Sequence, residues 1–157
     1  MNRPAAFPDE DAIDFGDLTR SVGFLLRMAQ LQSFDMFFAR LAKHGLKPGE
    51  FTLLWVVGLN PGLRQGSLAR RLRIKPAHMT KLVQRLVAAD LLARTVPDDD
   101  RRSVRLSLTG AGTAFVARHR AAFLAFHDAE RHPLTDAEHR QLLHLLGKLT
   151  GLDGETR

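Results

Sequence analysis

Apolar residues recur every three or four positions along most of this chain, with turn-forming residues between the stretches. From about Asp14 to Lys43, Leu18, Val22, Leu25, Leu26, Ala29, Phe34, Phe37, Phe38 and Leu41 predict one long helix. Its apolar positions occupy more than one face, so it calls for burial on two sides. Gly45 closes it. Pro48 opens a second helix with a stripe of Phe51, Leu54, Trp55 and Gly58, which Asn60-Pro61-Gly62 ends. Gln65 to Leu72 spaces Leu68, Ala69 and Leu72 for two helical turns, and Arg73-Ile74-Lys75 then turns the chain into Pro76. Proline suits a first helical position, because its missing N–H has no partner there anyway. From it Met79, Leu82, Val83 and Leu86 fall at i, i+3, i+4 and i+7, a stripe that predicts one buried face. Two helices joined by so short a turn form a helix-turn-helix, whose second helix enters a major groove.

The period then changes. Leu92 to Val96 and Val104 to Leu108 read as strands, and in the second Val104, Leu106 and Leu108 alternate with Arg105 and Ser107. The segment PDDDRRS joins them, and a charged hairpin beside a recognition helix is a wing. Thr109 caps a helix that runs to about Arg131 with Phe115, Ala122, Phe123 and Phe126 along it, and Pro133 breaks it. Thr135 and Glu138 have the spacing of a capping box, followed by a stripe of Leu142, Leu145, Leu146 and Leu149 with Leu134 and Leu152 at its ends. That stripe needs a partner, which the chain's own first helix can supply. Residues 1–11, with two prolines and little periodicity, read as a flexible arm.

Charge sharpens this picture. Between Arg64 and Arg105 there are 11 Lys or Arg against 4 Asp, a surplus of seven in a chain whose total is +6. A positive surplus confined to one helix-strand unit is the electrostatic footprint of a nucleic-acid-binding face. Opposite the buried stripe of the second helix stand Ala77, Thr80, Lys81, Gln84 and Arg85, with His78 on the flank. Ala77 suits a thymine methyl, Gln84 an adenine, and Lys81 or Arg85 a guanine or a phosphate. By itself this is equally the pattern of an amphipathic surface helix; the turn before it and the wing after it favour DNA. Arg101 and Arg102 at the wing tip suit a narrow minor groove, where the potential is most negative.

The order LKPGEFTLLWVV, LRQGSLARRLRI, KPAHMTKLVQRLVAADLLART and PDDDRRSVRLSLTGAG resembles the MarR family of bacterial transcriptional regulators. The resemblance spans roughly Leu46 to Phe115. Its most specific piece is Asp100-Arg101-Arg102, followed at the usual distance by Leu108-Thr109-x-x-Gly112. It implies that Arg102 enters the minor groove with Asp100 as its positioning partner. It implies a fold that is mainly α with a small β-wing: one domain, with dimerisation helices at 12–45 and 110–152 and a winged helix-turn-helix lobe at 46–108. Two chains would interlock through their first, fifth and sixth helices and present two recognition helices to a pseudo-palindrome. Arg73 and Asp90 stand where the family usually has Gly at helix C-termini. A left-handed backbone at Arg73 costs roughly 1–2 kcal/mol, so a different turn is expected there. Lys47 and Arg64 replace common Ser or Thr caps.

Composition removes other classes. At 157 residues with 45% hydrophobic and 25% charged residues, the chain has the make-up of one soluble globular domain rather than a disordered tail. Without cysteine there is no disulfide, thiolate metal site or thiol switch. No apolar run approaches membrane-spanning length and no apolar signal core opens the chain, so a cytoplasmic location is expected, with no membrane partner. His139 and His144 are five apart and share no helix face; His119 and His127 would need a tertiary coincidence to bind metal. No nucleophile-elbow pattern occurs, and Gly110-Ala111-Gly112 lacks the third glycine of a dinucleotide loop. Neither an enzyme nor a cofactor is expected.

In the resembling family a pocket lies between the dimer helices and the DNA-binding lobe. Phe24, Met28, Phe38, His44, Trp55, Phe115, Arg118 and His119 fall on the corresponding elements and could admit an aromatic or anionic effector, although aromatic residues at helical spacing are more often plain core. The expectation is a homodimeric, sequence-specific repressor of transcription that binds double-stranded DNA and is released by a small molecule. Two alternatives stay open: a sequence-indifferent architectural or nucleoid DNA-binding protein, and a protein-interaction module whose winged helix no longer meets DNA.

Overall fold

A computed structural model describes residues 13–41, 45, 47–98, 103–130 and 133–152. They fall into two compact units divided after Met36. The first unit holds a short 3-10 turn, Gly16–Arg20, and most of helix α1, Val22–Leu41. The single long helix expected from Asp14 onward is therefore broken. At the break Ser21 is extended, and its hydroxyl accepts the Phe24 N–H at 3.4 Å, in the manner of a helix cap. Gly16 begins the turn at φ 49°, with its N–H donated to the Asp14 carboxylate at 2.8 Å. Within this unit the rings of Phe15 and Phe24 meet at 5.5 Å, while Ile13, Leu18, Val22, Leu25, Leu26, Met28, Leu31 and Phe34 stay exposed.

The second unit begins with the end of α1. It continues as α2 (Pro48–Leu59), β1 (Leu63–Arg64), α3 (Gln65–Arg71), α4 (Pro76–Ala88), β2 (Leu92–Thr95), β3 (Arg105–Leu108), α5 (Gly110–Glu130) and α6 (Asp136–Thr150). The sheet is antiparallel in the order β1-β3-β2, with Leu63 opposite Leu106 and Leu92 opposite Leu108. Three elements of α-structure and the sheet share one core: Leu53, Leu54 and Val57 of α2, Leu68 and Ala69 of α3, Met79, Leu82, Val83 and Leu86 of α4, with Leu92 and Leu106 from the strands. The α4 stripe read from sequence is buried throughout. A second, aromatic cluster joins α2 to α5, with Phe51 and Phe123 at 4.2 Å between ring centres and Trp55 and Phe123 at 5.7 Å. Phe37 meets Phe126 edge-on at 5.5 Å.

Three helices of this unit end alike. After α3, the N–H of Arg73 reaches the Arg70 carbonyl and that of Ile74 the Ala69 carbonyl; Asp90 and Leu91 repeat this after α4, and Gly151 and Leu152 after α6. This is the Schellman arrangement, which pairs the last carbonyls of a helix and requires a left-handed residue. Arg73 at φ 53° and Asp90 at φ 55° fill that role. The different turn expected at Arg73 is thus not found: two backbone hydrogen bonds and the fit of Ile74 beside the core hold arginine in a conformation it otherwise avoids. Arg73→Gly is expected to stabilise the fold by about 1 kcal/mol, the relieved strain exceeding the added chain entropy. Urea unfolding checks this; a loss of stability would mean that the arginine side chain contributes more than its backbone costs.

The last helix is well terminated at both ends. Thr135 and Glu138 form the capping box, with the Thr135 N–H donated to the carboxylate at 2.8 Å and the Glu138 N–H to the hydroxyl at 3.3 Å. The hydroxyl and N–H of Thr135 hold the Glu138 carboxyl below the usual carboxylate range. Yet no residue of α6 is buried. Among the described residues no helix is long and apolar enough to cross a membrane, and no group of three metal-ligating side chains occurs.

Candidate nucleic-acid interface

Helix α4 presents the outward residues expected of it. Ala77, His78, Thr80, Lys81, Gln84 and Arg85 are all exposed, while Met79, Leu82, Val83 and Leu86 anchor the opposite side in the core. Two details refine the reading. The Thr80 hydroxyl donates back to the Pro76 carbonyl at 3.0 Å, which leaves its oxygen lone pairs as the outward group. Arg85 is ion-paired with Glu50 in the first turn of α2. Asp100, Arg101 and Arg102, the wing residues singled out from sequence, lie outside the described residues, as does His44.

A second part of this face was not read from sequence. Backbone bonds from Gln65 N–H to the Val104 carbonyl (2.8 Å) and from Gly62 N–H to the Leu106 carbonyl (2.9 Å) fasten the start of α3 to β3. The result is a polar cleft of about 420 Å³ walled by Arg64, Gln65, Ser67, Arg70 and Ser103. Gln65 Oε1 is buried there without a hydrogen-bond partner among the described residues, and Arg70 donates to the Ser67 hydroxyl at 3.4 Å. The basic residues Arg64, Arg70, Arg71, Arg73, Lys75, Lys81 and Arg94 all stand exposed on β1, the helix-turn-helix and β2. Arg105 is half-buried and donates to the Gly62 carbonyl at 3.2 Å, bracing β3 against the turn before β1. The only sequence signal for the cleft was the charge surplus itself.

The other end of β3 is tied to the turn after α4. The Thr109 hydroxyl donates to the Asp90 carbonyl and accepts the Gly112 N–H at 2.9 Å, while the Thr109 N–H donates to the Leu91 carbonyl at 3.3 Å. Gly112 packs so closely that a Cβ there would lie 2.0 Å from the Leu91 carbonyl oxygen. The Thr109-x-x-Gly112 motif therefore locks the start of α5 onto the turn that follows α4.

Of the residues considered for an effector pocket, Phe24 and Met28 belong to the first unit, Phe24 half-buried and Met28 exposed. In the second unit Phe115 and His119 meet at 4.5 Å, with His119 buried and Phe115 packed against the main core. Phe38 and Arg118 are exposed. Trp55 packs beside Phe51 and Phe123, 5.7 Å from each ring, and the guanidinium over its own ring, 5.8 Å from the centroid, is that of Arg120 rather than Arg118. Trp55 and Arg120 flank a mostly apolar cleft of about 350 Å³ that also borders Gly58, Leu108, Thr113 and Val116.

Comparison with known proteins agrees with this architecture. A family model described as the MarR family matches residues 44–103. The chain is 32% identical over 142 residues to a putative transcriptional regulatory protein for the hcr operon of Thauera aromatica, covering 90% of this chain and 86% of that one. Its fold superposes on the transcriptional repressor CouR bound to a 23-mer DNA duplex with a TM-score of 0.80 at 30% identity, covering 87% of this chain and 97% of the other. It is also similar to BpsR of Bordetella bronchiseptica, whose DNA binding is regulated by 6-hydroxynicotinic acid, with a TM-score of 0.77 at 26% identity and coverage of 82% and 98%. With the helix-turn-helix core, the three-stranded wing sheet and these relatives in agreement, the chain belongs to the MarR family of transcriptional regulators.

Proposed function

We propose that this protein is a homodimeric repressor that binds a pseudo-palindromic operator through α4 and the wing and is released by a small aromatic or anionic ligand. The observation that carries the DNA reading is α4 itself: a buried apolar stripe fixes it, and Ala77, His78, Thr80, Lys81 and Gln84 stand outward from it on a strongly basic lobe. Arg64, Ser67 and Arg70 in the cleft beside β3 suit backbone phosphates, and Arg101 and Arg102, positioned by Asp100, the minor groove. Residues 46–108 serve as the DNA-binding lobe, and 12–45 with 110–152 as the dimerisation helices. Two recognition helices roughly 34–36 Å apart would then read successive major grooves. The DNA-bound CouR complex supports this reading by likeness of fold.

For the effector, Trp55 and Arg120 combine an aromatic floor with a guanidinium at one cleft, which suits a flat carboxylate. The cleft adjoins Leu108 at the end of β3, so a ligand that moves α5 against the sheet also moves the wing. A ligand preferring a half-site spacing that the operator does not match weakens DNA binding by the same factor that DNA weakens the ligand.

Capture of sheared genomic DNA by the purified protein across a salt series tests the reading. Recovery of a few fragments sharing an inverted repeat is expected. Uniform recovery that vanishes with salt would point instead to an architectural DNA-binding protein, and no recovery at low salt to a protein-interaction module. On the recovered duplex, Arg70→Ala should weaken binding to all sequences and lower the salt slope by about 0.9, whereas Gln84→Ala should cost about 1–3 kcal/mol at one base pair only. Equal losses on every sequence for both variants would reverse these roles.

A further inference from the structure

Arg85 has the sequence position of a DNA contact, but its partner is inside the protein. Stepping 100° per residue around α4, Met79, Leu82, Val83 and Leu86 centre on the buried side, and Ala77, Lys81 and Gln84 lie opposite. Arg85 sits about 70° round from the centre of that outer face, on the flank it shares with His78. There its guanidinium meets Glu50 Oε1 at 2.5 Å. The Glu50 side chain is 11% exposed and that of Arg85 50% exposed, so the carboxylate is the buried member. A carboxylate so far removed from water needs its cation, and the same contact cancels much of the charge that Arg85 would offer a phosphate.

The position of the pair gives it a mechanical consequence. Helices α2 and α4 contribute to the same apolar core, α2 through Leu53, Leu54 and Val57 and α4 through its buried stripe, but apolar packing by itself tolerates small rolls about a helix axis. An ion pair off to one side of that stripe does not. Glu50 lies in the first turn of α2, next to Phe51, which packs on Phe123 of α5. We propose that Glu50 and Arg85 form a strut that fixes the roll of the recognition helix, with Arg85 a positioning residue rather than a DNA contact. This rests on α4 being the recognition helix.

The test compares wild type, Glu50→Gln, Arg85→Gln and the double variant. Each is titrated against a fluorescein-labelled duplex carrying the captured inverted repeat and a scrambled duplex of the same length, over a KCl series. The expected result is a loss of about tenfold on the specific duplex for either single change, with the scrambled duplex altered by less than about twofold. The salt slope stays at the wild-type value, and the double variant is no weaker than either single one. Urea unfolding of the four proteins should show the same non-additivity without DNA. If Arg85→Gln instead lowers the slope by about 0.9 and weakens both duplexes, Arg85 is a phosphate contact and the strut is overturned. Tighter binding by Glu50→Gln, additive losses, or variants that bind like wild type overturn it equally. Should Glu50→Gln fail to fold, Glu50→Asp in the same cycle gives the same reading. A wild-type protein that does not prefer the captured duplex overturns the operator reading first, and the strut with it.

Discussion

Gly112→Ala is expected to destabilise this protein by about 3 kcal/mol or more, the largest loss from one added methyl group at any glycine described. The new Cβ would stand 2.0 Å from the Leu91 carbonyl oxygen, 2.9 Å from its carbon and 3.2 Å from Leu91 Cα. All three are backbone atoms, so no side chain can swing aside. The backbone has little freedom to yield either. Leu91 donates its N–H to the Leu86 carbonyl, its own carbonyl accepts from Thr109, and Asp90 before it is already held at φ 55°. Relief must come from moving the start of α5 away from the turn after α4, which breaks the Thr109 hydrogen bonds that close the wing. In urea or thermal unfolding the midpoint should fall by roughly 10 °C for a chain of this size. Gly110→Ala is the control: nothing lies within 4 Å of its added Cβ, so little change is expected. A Gly112→Ala protein as stable as wild type would show that α5 does not approach Leu91 this closely.

Gly112 also marks the boundary of what the sequence makes legible. The spacing Thr109-x-x-Gly112 stood out as part of a family resemblance, while its physical reason, contact with Leu91 from another element, has no local signature. The α4 stripe was readable because four residues at helical spacing face one core. Strand β1 was not: two residues display no period, and Leu63 and Arg64 become a strand only by pairing with Leu106 and Arg105. The break at Ser21 is hidden because apolar spacing runs on across it. Backbone preference argued against a left-handed Arg73, and the two Schellman hydrogen bonds overrode it. At the candidate sites the missing information is rotational. Arg118 and Arg120 are two residues apart on one helix, and the roll of α5 decides that Arg120 meets Trp55. Glu50 and Arg85 lie on different helices, and no pattern in either stretch announces their contact.

Leu145→Glu combined with Leu149→Glu is expected to convert the protein to monomers and to lower operator affinity by about 10²–10⁴-fold, because a second half-site held by the same dimer binds at a high effective concentration. The case rests on α6. A capping box starts this helix and a left-handed Gly151 ends it, so it is a well-terminated element rather than a frayed tail. Nevertheless Leu142, Leu143, Leu145 and Leu149 are all exposed on it, Leu124 is exposed on α5, and the first unit exposes a further series from Leu18 to Phe34. Each fully buried leucine contributes about 1.5–3 kcal/mol, and four exposed leucines on one well-terminated helix mark a candidate interface. On the proposed pseudo-palindromic operator, a second copy of the chain is the occupant expected. Sedimentation of the wild type should give twice the 17.5 kDa mass of one chain, and the double variant a single chain. Its helix content should be unchanged, since both leucines are solvent-facing within one chain. A variant that still dimerises would move the interface off α6. A monomer that keeps full operator affinity would show that one recognition helix suffices, and the pseudo-palindrome would lose its reason.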